Sequence, residues 1–216
     1  MLMVRPKLRS GQEDNRPRAR FFSGNGFGRL WKTGPACLGE VSARFPAASA
    51  GFARYNVAVA MVIRDFQPKD FETLWRMDQQ CFPSGIAYSK QELKAYIHEP
   101  GAFTLIAEGG AEIAEDGAKN TGRVAGFIVA YNGPTGHVIT IDVIAAARRL
   151  GVGSLLLQAA EDRLRVGGSR SVGLETAVDN LAALAFYKRH GYSVVRTRPR
   201  YYSNGVDALV MRKELT

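Results

Sequence analysis

The chain has 216 residues, 46% of them hydrophobic, and a formal net charge of +9 at neutral pH; that length suits one well-buried domain and is tight for two. Two cysteines, Cys37 and Cys81, exclude a disulfide framework and an ordinary four-ligand zinc site, and fit a reducing compartment. No run approaches the ~18 apolar residues of a membrane span, and no apolar core follows the basic start as a secretory signal requires, so the expectation is a soluble, cytoplasmic protein.

Residues 1–58 hold ten Lys/Arg against Glu13, Asp14 and Glu40, so they carry most of the net charge. They lack helical or alternating periodicity and are rich in Gly, Pro, Ser and Arg, a composition that buries too little surface to fold alone. The expectation is a disordered basic extension over 1–58 and one domain over 59–216. The extension has three readings: a translated region upstream of a start at Met61, a solvated basic arm, or an Arg-rich targeting peptide. The near-neutral remainder argues against direct nucleic-acid binding.

From residue 60 the pattern alternates. "AMVIRDF" is strand-like, and Pro68 then starts a helix with an apolar stripe of Phe71, Leu74 and Trp75 interrupted by Asp78. Ser89 and Glu92 form a capping-box signature for a second helix that buries Leu93, Tyr96 and Ile97. "AFTLIAEGG" and "RVAGFIVAYN" are strands flanking a Gly-rich acidic loop over 109–122, and after "GPTG" the β-branched "HVITIDVIA" makes a central strand. It feeds into "ARRLGVGSLLLQAAEDRL", residues 147–164, a Gly-x-Gly turn opening a helix. Unpaired N–H groups and the dipole at such a helix start suit a phosphate. "SVGLETAV" resumes the sheet, Asp179 or Asn180 caps the helix "LAALAFYKRH", and "YSVVRTRPRYY" and "DALVMRKEL" close it. The order β-α-α-β-β-β-α-β-α-β-β predicts an α/β fold, a mixed central sheet with helices on both faces.

A dinucleotide site requires a third glycine where Leu156 stands, and a triphosphate loop requires a lysine that "GVGSLL" lacks. "VIAAARRLGVG", residues 143–153, instead resembles the acetyl-CoA motif of the GCN5-related N-acetyltransferases, with Arg148, Gly151 and Gly153 in register and Ala145 where proline is usual. The resemblance implies the GNAT fold, acetyl-CoA as co-substrate without a metal, and CoA binding by Ile141, Val143, Arg148, Arg149, Leu150, Gly151, Val152, Gly153, Ser154 and Asn180. "LETAVDNLAALAFYKRHGY" with "RPRYYSNGVDALVM" is similar to the RimI-type ribosomal-protein alanine N-acetyltransferases, matching at Glu175, Asn180, Tyr187, Tyr201 and Tyr202 and differing at Ala177, where arginine is usual. It implies a protein N-terminus, such as that of a ribosomal protein, as acceptor, bordered by Tyr201 and Tyr202.

The chemistry asks for such groups. A peptide α-amine has a pKa of about 8 and must be neutral to attack a thioester, so a base helps, and the departing thiolate needs a proton donor. Glu175, on the strand face opposite Leu174, is the candidate base, and Tyr187 the candidate acid. Each has a plainer reading: a solvated strand glutamate, a packed tyrosine, for Asn180 a helix cap, for Arg148 and Arg149 a solvated turn, for Tyr201 and Tyr202 edge packing. His98, His137 and His190 fall on different elements with no metal-ligand spacing, and Cys81 before "FP" suits packing better than nucleophilic attack. The expected activity is acetyl transfer to an α-amine, with a small-molecule amine or lysine acceptor, or a non-catalytic acyl-CoA-binding protein, as alternatives. Deleting residues 1–58 is expected to leave melting temperature and turnover close to the full-length values, because a coreless segment contributes few tertiary contacts; thermal melts and a rate assay on both forms check this.

Overall fold

The computed structural model describes residues 61–82, 86–109 and 123–215. The extension expected over 1–58, and nearly all of the acidic loop, lie outside the described residues.

Pro68 opens a single 3-10 turn, Pro68–Asp70, that runs into α1, Phe71–Cys81. Helix α2, Lys90–Ile97, starts on the expected capping box: Ser89 Oγ accepts the Glu92 N–H, and the Glu92 carboxylate accepts the Ser89 N–H at 2.9 Å. Helix α3, Val152–Val166, is entered through Gly151 at φ 86°, a left-handed conformation that glycine takes without the Cβ penalty. Helix α4, Leu181–Arg189, is capped by Asn180, whose Oδ1 accepts the Ala183 N–H at 3.1 Å.

The strands are β1 (Met61–Asp65), β2 (Ala102–Gly109), β3 (Arg123–Tyr131), β4 (Thr135–Val143), β5 (Ser171–Ala177), β6 (Ser193–Arg198) and β7 (Ala208–Glu214). They form one seven-stranded sheet in the order β1-β2-β3-β4-β5-β7-β6. All neighbours are antiparallel except β4 and β5, the pair joined through α3, as a parallel pair requires a crossover. The sheet is mixed with helices on both faces, as the element order predicts. β4 begins at Thr135, two residues earlier than the turn chemistry of "GPTG" indicates, because Thr135 and Gly136 pair with Ser171 and Val172 of β5.

Two apolar clusters lie on opposite faces. One joins α3 and α4 to the sheet through Leu156, Leu157, Leu164, Phe186 and Tyr187. The other packs Leu74, Met77 and Cys81 of α1 and Leu93, Tyr96 and Ile97 of α2 against Ile106, Phe127, Val129 and Ile139. The connection between α1 and α2 is tied to α1 at Tyr88. Its N–H donates to Asp78 Oδ2 at 2.7 Å, and its carbonyl accepts from Gln79 Nε2 at 2.8 Å and Trp75 Nε1 at 3.1 Å. Asp78, the acid within the apolar stripe, is fully buried for this purpose.

At Gly126 of β3 a Cβ would lie 2.6 Å from the Asp142 carbonyl oxygen of β4 and 3.1 Å from a Leu156 methyl. Gly126→Ala should therefore cost about 1–3 kcal/mol, the usual range for overpacking a tight site. Gly173→Ala, whose Cβ meets nothing nearer than 3.7 Å, should cost much less; denaturant midpoints of the two variants check the contrast.

Candidate active site

The parallel pairing of β4 with β5 lasts three rungs, Thr135–Ser171, Gly136–Val172 and His137–Gly173. Beyond them, Val138 to Val143 of β4 and Leu174 to Ala177 of β5 no longer pair with each other, although each stays paired with its outer neighbour, β3 or β7. Candidate groups collect on both sides of this fork.

Where β4 ends, the chain turns through Ala145–Ala147 into the residues before α3. Arg149 there takes φ 63°, which costs a non-glycine residue roughly 1–2 kcal/mol, and Gly151 follows at φ 86°. The first N–H groups of α3, those of Val152, Gly153 and Ser154, have no acceptor within the helix, and open space surrounds the position a Gly151 Cβ would take. They border a cavity of about 440 Å³ lined also by Cys81, Asp142, Val143, Arg148, Arg149 and Phe186. Two residues before Ala182, which also lines the cavity, the Asn180 amide nitrogen is buried without a partner among the described residues, while its oxygen caps α4. A run of free amides, an open glycine and an orphan amide donor fit a phosphate-bearing ligand with a polar tail.

The expected CoA residues contribute unequally. Ile141 and Val152 have buried side chains in the core, so only their backbones are available to a ligand, whereas Leu150 is exposed. Arg148 is turned inward, with Nε donating to the Val143 carbonyl at 3.0 Å and Nη2 to Cys81 Sγ at 3.8 Å. Its cation therefore braces the β4 terminus against α1, and Arg149 is the freer arginine. Ser154 Oγ lies 3.0 Å from His190 Nε2, whose other ring nitrogen lies 2.8 Å from the Phe186 carbonyl. Cys81 is buried, and burial with the nearby Asp142 charge pushes its thiol up to about 11, so it is a packed, unreactive thiol.

Glu175 is 4% exposed. Its Oε2 lies 3.0 Å from His137 Nε2, and its Oε1 lies 3.9 Å from Arg198 Nη2. Burial alone would push the carboxyl up, but the close contact with His137 and the charges of His137, Arg198 and Arg196 hold it below the ordinary carboxylate value. His137 in turn stacks on Tyr131 of β3, ring centroids 5.6 Å apart.

Tyr187 is fully buried and sits edge-on to Phe186 and Tyr192. Its hydroxyl has no hydrogen-bond partner among the described residues. Burial first, then the charges of Asp142 and Tyr202, push it well above the ordinary tyrosine value, so it carries its proton at any working pH. Tyr201 is half-buried and Tyr202 buried, in edge-to-face contact at 5.2 Å, and the turn that bears them packs on Ala177 and Ala208. Two residues near the fork escaped the sequence reading: His137, which lies 38 positions from Glu175 and meets it only through the β4–β5 pairing, and Asp142, an acid inside an apolar strand. No group of three or more His, Cys, Asp or Glu is placed to hold a metal ion among the described residues, and no helix among them is long and apolar enough to cross a membrane.

With this geometry in view, the comparisons agree. The model of the acetyltransferase (GNAT) family matches residues 71–192. An uncharacterized N-acetyltransferase of Methanocaldococcus jannaschii is 31% identical over 156 residues, 71% of this chain and 92% of that protein. N-alpha-acetyltransferase 30 of Schizosaccharomyces pombe is 31% identical over 123 residues, 56% of this chain and 77% of that protein. Among solved structures, the ribosomal-protein-S18-alanine N-acetyltransferase of Escherichia coli superposes with a TM-score of 0.60 at 21% identity, covering 73% of this chain and 95% of that one, a likeness of fold. The chain belongs to the GNAT acetyltransferase family and is an N-acetyltransferase.

Gly151→Val combined with Gly153→Val should weaken acetyl-CoA binding strongly while the fold survives, because side chains there fill the space before the α3 amides and force a left-handed φ on valine. Calorimetric titration with acetyl-CoA measures it; unchanged affinity would remove the phosphate assignment.

Proposed function

We propose that this protein transfers the acetyl group of acetyl-CoA to the α-amine of a protein or peptide N-terminus in the cytoplasm, by direct attack within a ternary complex. The observation that carries the reading is the buried Glu175–His137 pair at the fork of β4 and β5, on the sheet face away from the α3–α4 core. The name of the fission-yeast relative, an N-alpha-acetyltransferase, supports the same acceptor class. The RimI-like residues favour a ribosomal protein as a member of that class.

The amides of residues 149–154 and the Asn180 nitrogen would hold acetyl-CoA, with Arg149 offering charge to its phosphates. When bound, it supplies an activated acetyl thioester and a thiolate leaving group. Glu175, kept ionised by His137 and the neighbouring arginines, is too weak a base to strip a resting ammonium. It accepts the proton from the amine nitrogen as the C–N bond forms and that nitrogen becomes far more acidic. Nearby cations, Arg198 foremost, disfavour a positive charge on the incoming amine and so enlarge its neutral fraction. Tyr187, with an unpartnered hydroxyl and a high pKa, delivers its proton to the departing sulfur. The two groups are pushed in opposite directions by their surroundings, the arrangement that separates base from acid.

Acetylation by the full chain of a free-N-terminus peptide library, with the modified positions sequenced, tests the reading: α-amine products support it, and lysine products alone or none overturn it. Tyr187→Phe keeps the ring packing and removes only the hydroxyl, so turnover should fall about 10²–10⁴-fold with acetyl-CoA binding little changed. Glu175→Gln should also slow turnover but recover part of it as pH rises through the amine pKa of about 8. Stopped assays across pH separate the two, and a Glu175→Gln profile that overlays the parent would end the base assignment.

A further inference from the structure

Which acceptors the site takes is written on the rungs beside Glu175. In the paired register Glu175 of β5 faces Val210 of β7, and Val210 faces Arg196 of β6; one step on, Ala177 faces Ala208, and Ala208 faces Arg198. Residues on one rung share a sheet face, so Arg196 and Arg198 stand on the face of Glu175, as the approach of Arg198 Nη2 to Glu175 confirms. Four rungs below Ala177, and two below Glu175, the Gly173–Arg212 rung adds a third arginine.

These cations are unevenly compensated. Arg212 is paired with Glu214 at 3.2 Å and donates to Ser171 Oγ at 2.7 Å. Glu175 is already in contact with His137 at 3.0 Å. Arg198, over the Tyr201 ring at 5.5 Å, keeps 41% of its side chain exposed. Arg196 is exposed and makes no ion pair among the described residues. Val210 is half-buried on the rung it shares with Glu175 and Arg196, while Ala177 and Ala208 lie buried under the Tyr201–Tyr202 turn that Arg198 also touches.

Resting on the α-amine reading above, we propose that Arg196 and Arg198 select acceptors bearing Asp or Glu as the first or second residue. The amine is drawn to Glu175, and Arg198 stands within a side-chain length of that point. A carboxylate near the amine meets a guanidinium fork in bidentate geometry, and a lysine there meets like charge. Charges on an edge strand also deter strand-to-strand pairing, but that role confers no preference among acceptors.

The test uses the full chain, acetyl-CoA and peptides identical except for Asp, Glu, Ala or Lys at the first two positions. The expected order of kcat/KM is acidic above Ala above Lys, with an acidic-to-Ala ratio of about fivefold or more, the size one or two exposed charge pairs provide. The ratio should shrink toward one at about 1 M salt, where screening acts over about 3 Å. Arg196→Gln should lower the ratio, and Arg196→Glu with Arg198→Glu should invert it in favour of Lys. Should the double variant fail to fold, the single variant and the salt series decide. A parent ratio of one or less, or a ratio unmoved by salt and by Arg196→Gln, overturns the acidic preference while leaving α-amine acetylation standing. Acetylation of no α-amine in the set, with lysine side chains modified instead, overturns the underlying reading.

Discussion

Three rungs of parallel pairing hold β4 to β5, and every candidate group takes its place from the point where that pairing stops. His137 occupies the last rung, so its ring is fixed at the fork and reaches Glu175 across it. Asp142 shares a rung with Phe127 and thus the α1–α2 face, whereas Tyr187 packs in the α3–α4 core. The tyrosine nevertheless feels the charge of Asp142 across the sheet, since a charge acts through a low-dielectric interior whichever face it sits on.

The electrostatics of the fork follow from unequal access to cations. Glu175 is as buried as many core residues, yet His137, Arg198 and Arg196 outweigh its desolvation. Among the described residues no cation acts on Tyr187, while the Asp142 carboxylate does, so burial and charge act in the same sense. Folding contributes the same asymmetry to stability. A carboxyl with a lowered native pKa stabilises the fold above its unfolded pKa of about 4, and that contribution is lost as pH falls below it; a tyrosine that stays protonated adds no pH dependence in the neutral range.

Much of this was legible in the chain. The element order, the capping box at Ser89, the Asn180 cap and the glycine turn before α3 each depend on contacts a few residues apart, which local pattern records. The β4 start was displaced because its first two residues are set by partners in β5 rather than by the turn. Arg148 illustrates a subtler limit: motif register identifies the residue, but its guanidinium goes to the Val143 carbonyl and Cys81, and only the fold brings α1 there. His137 and Glu175 meet through a crossover, a relation that no spacing rule encodes. Asp142 did carry a signal, since an acid inside an apolar central strand needs a reason to be there.

The grip on Tyr88 bears on how the chain between α1 and α2 can move. Both backbone groups of that residue are committed to side chains of α1, and three hydrogen bonds must break, each worth about 1 kcal/mol, before the connection lifts on its own. Moving Tyr88 without breaking them means moving α1 with it. Cys81, two residues past Gln79 in the same last turns of α1, is the point on which Arg148 braces, so such a motion also disturbs that brace. The α1–α2 connection and the end of β4 are thereby joined through the last turns of one helix.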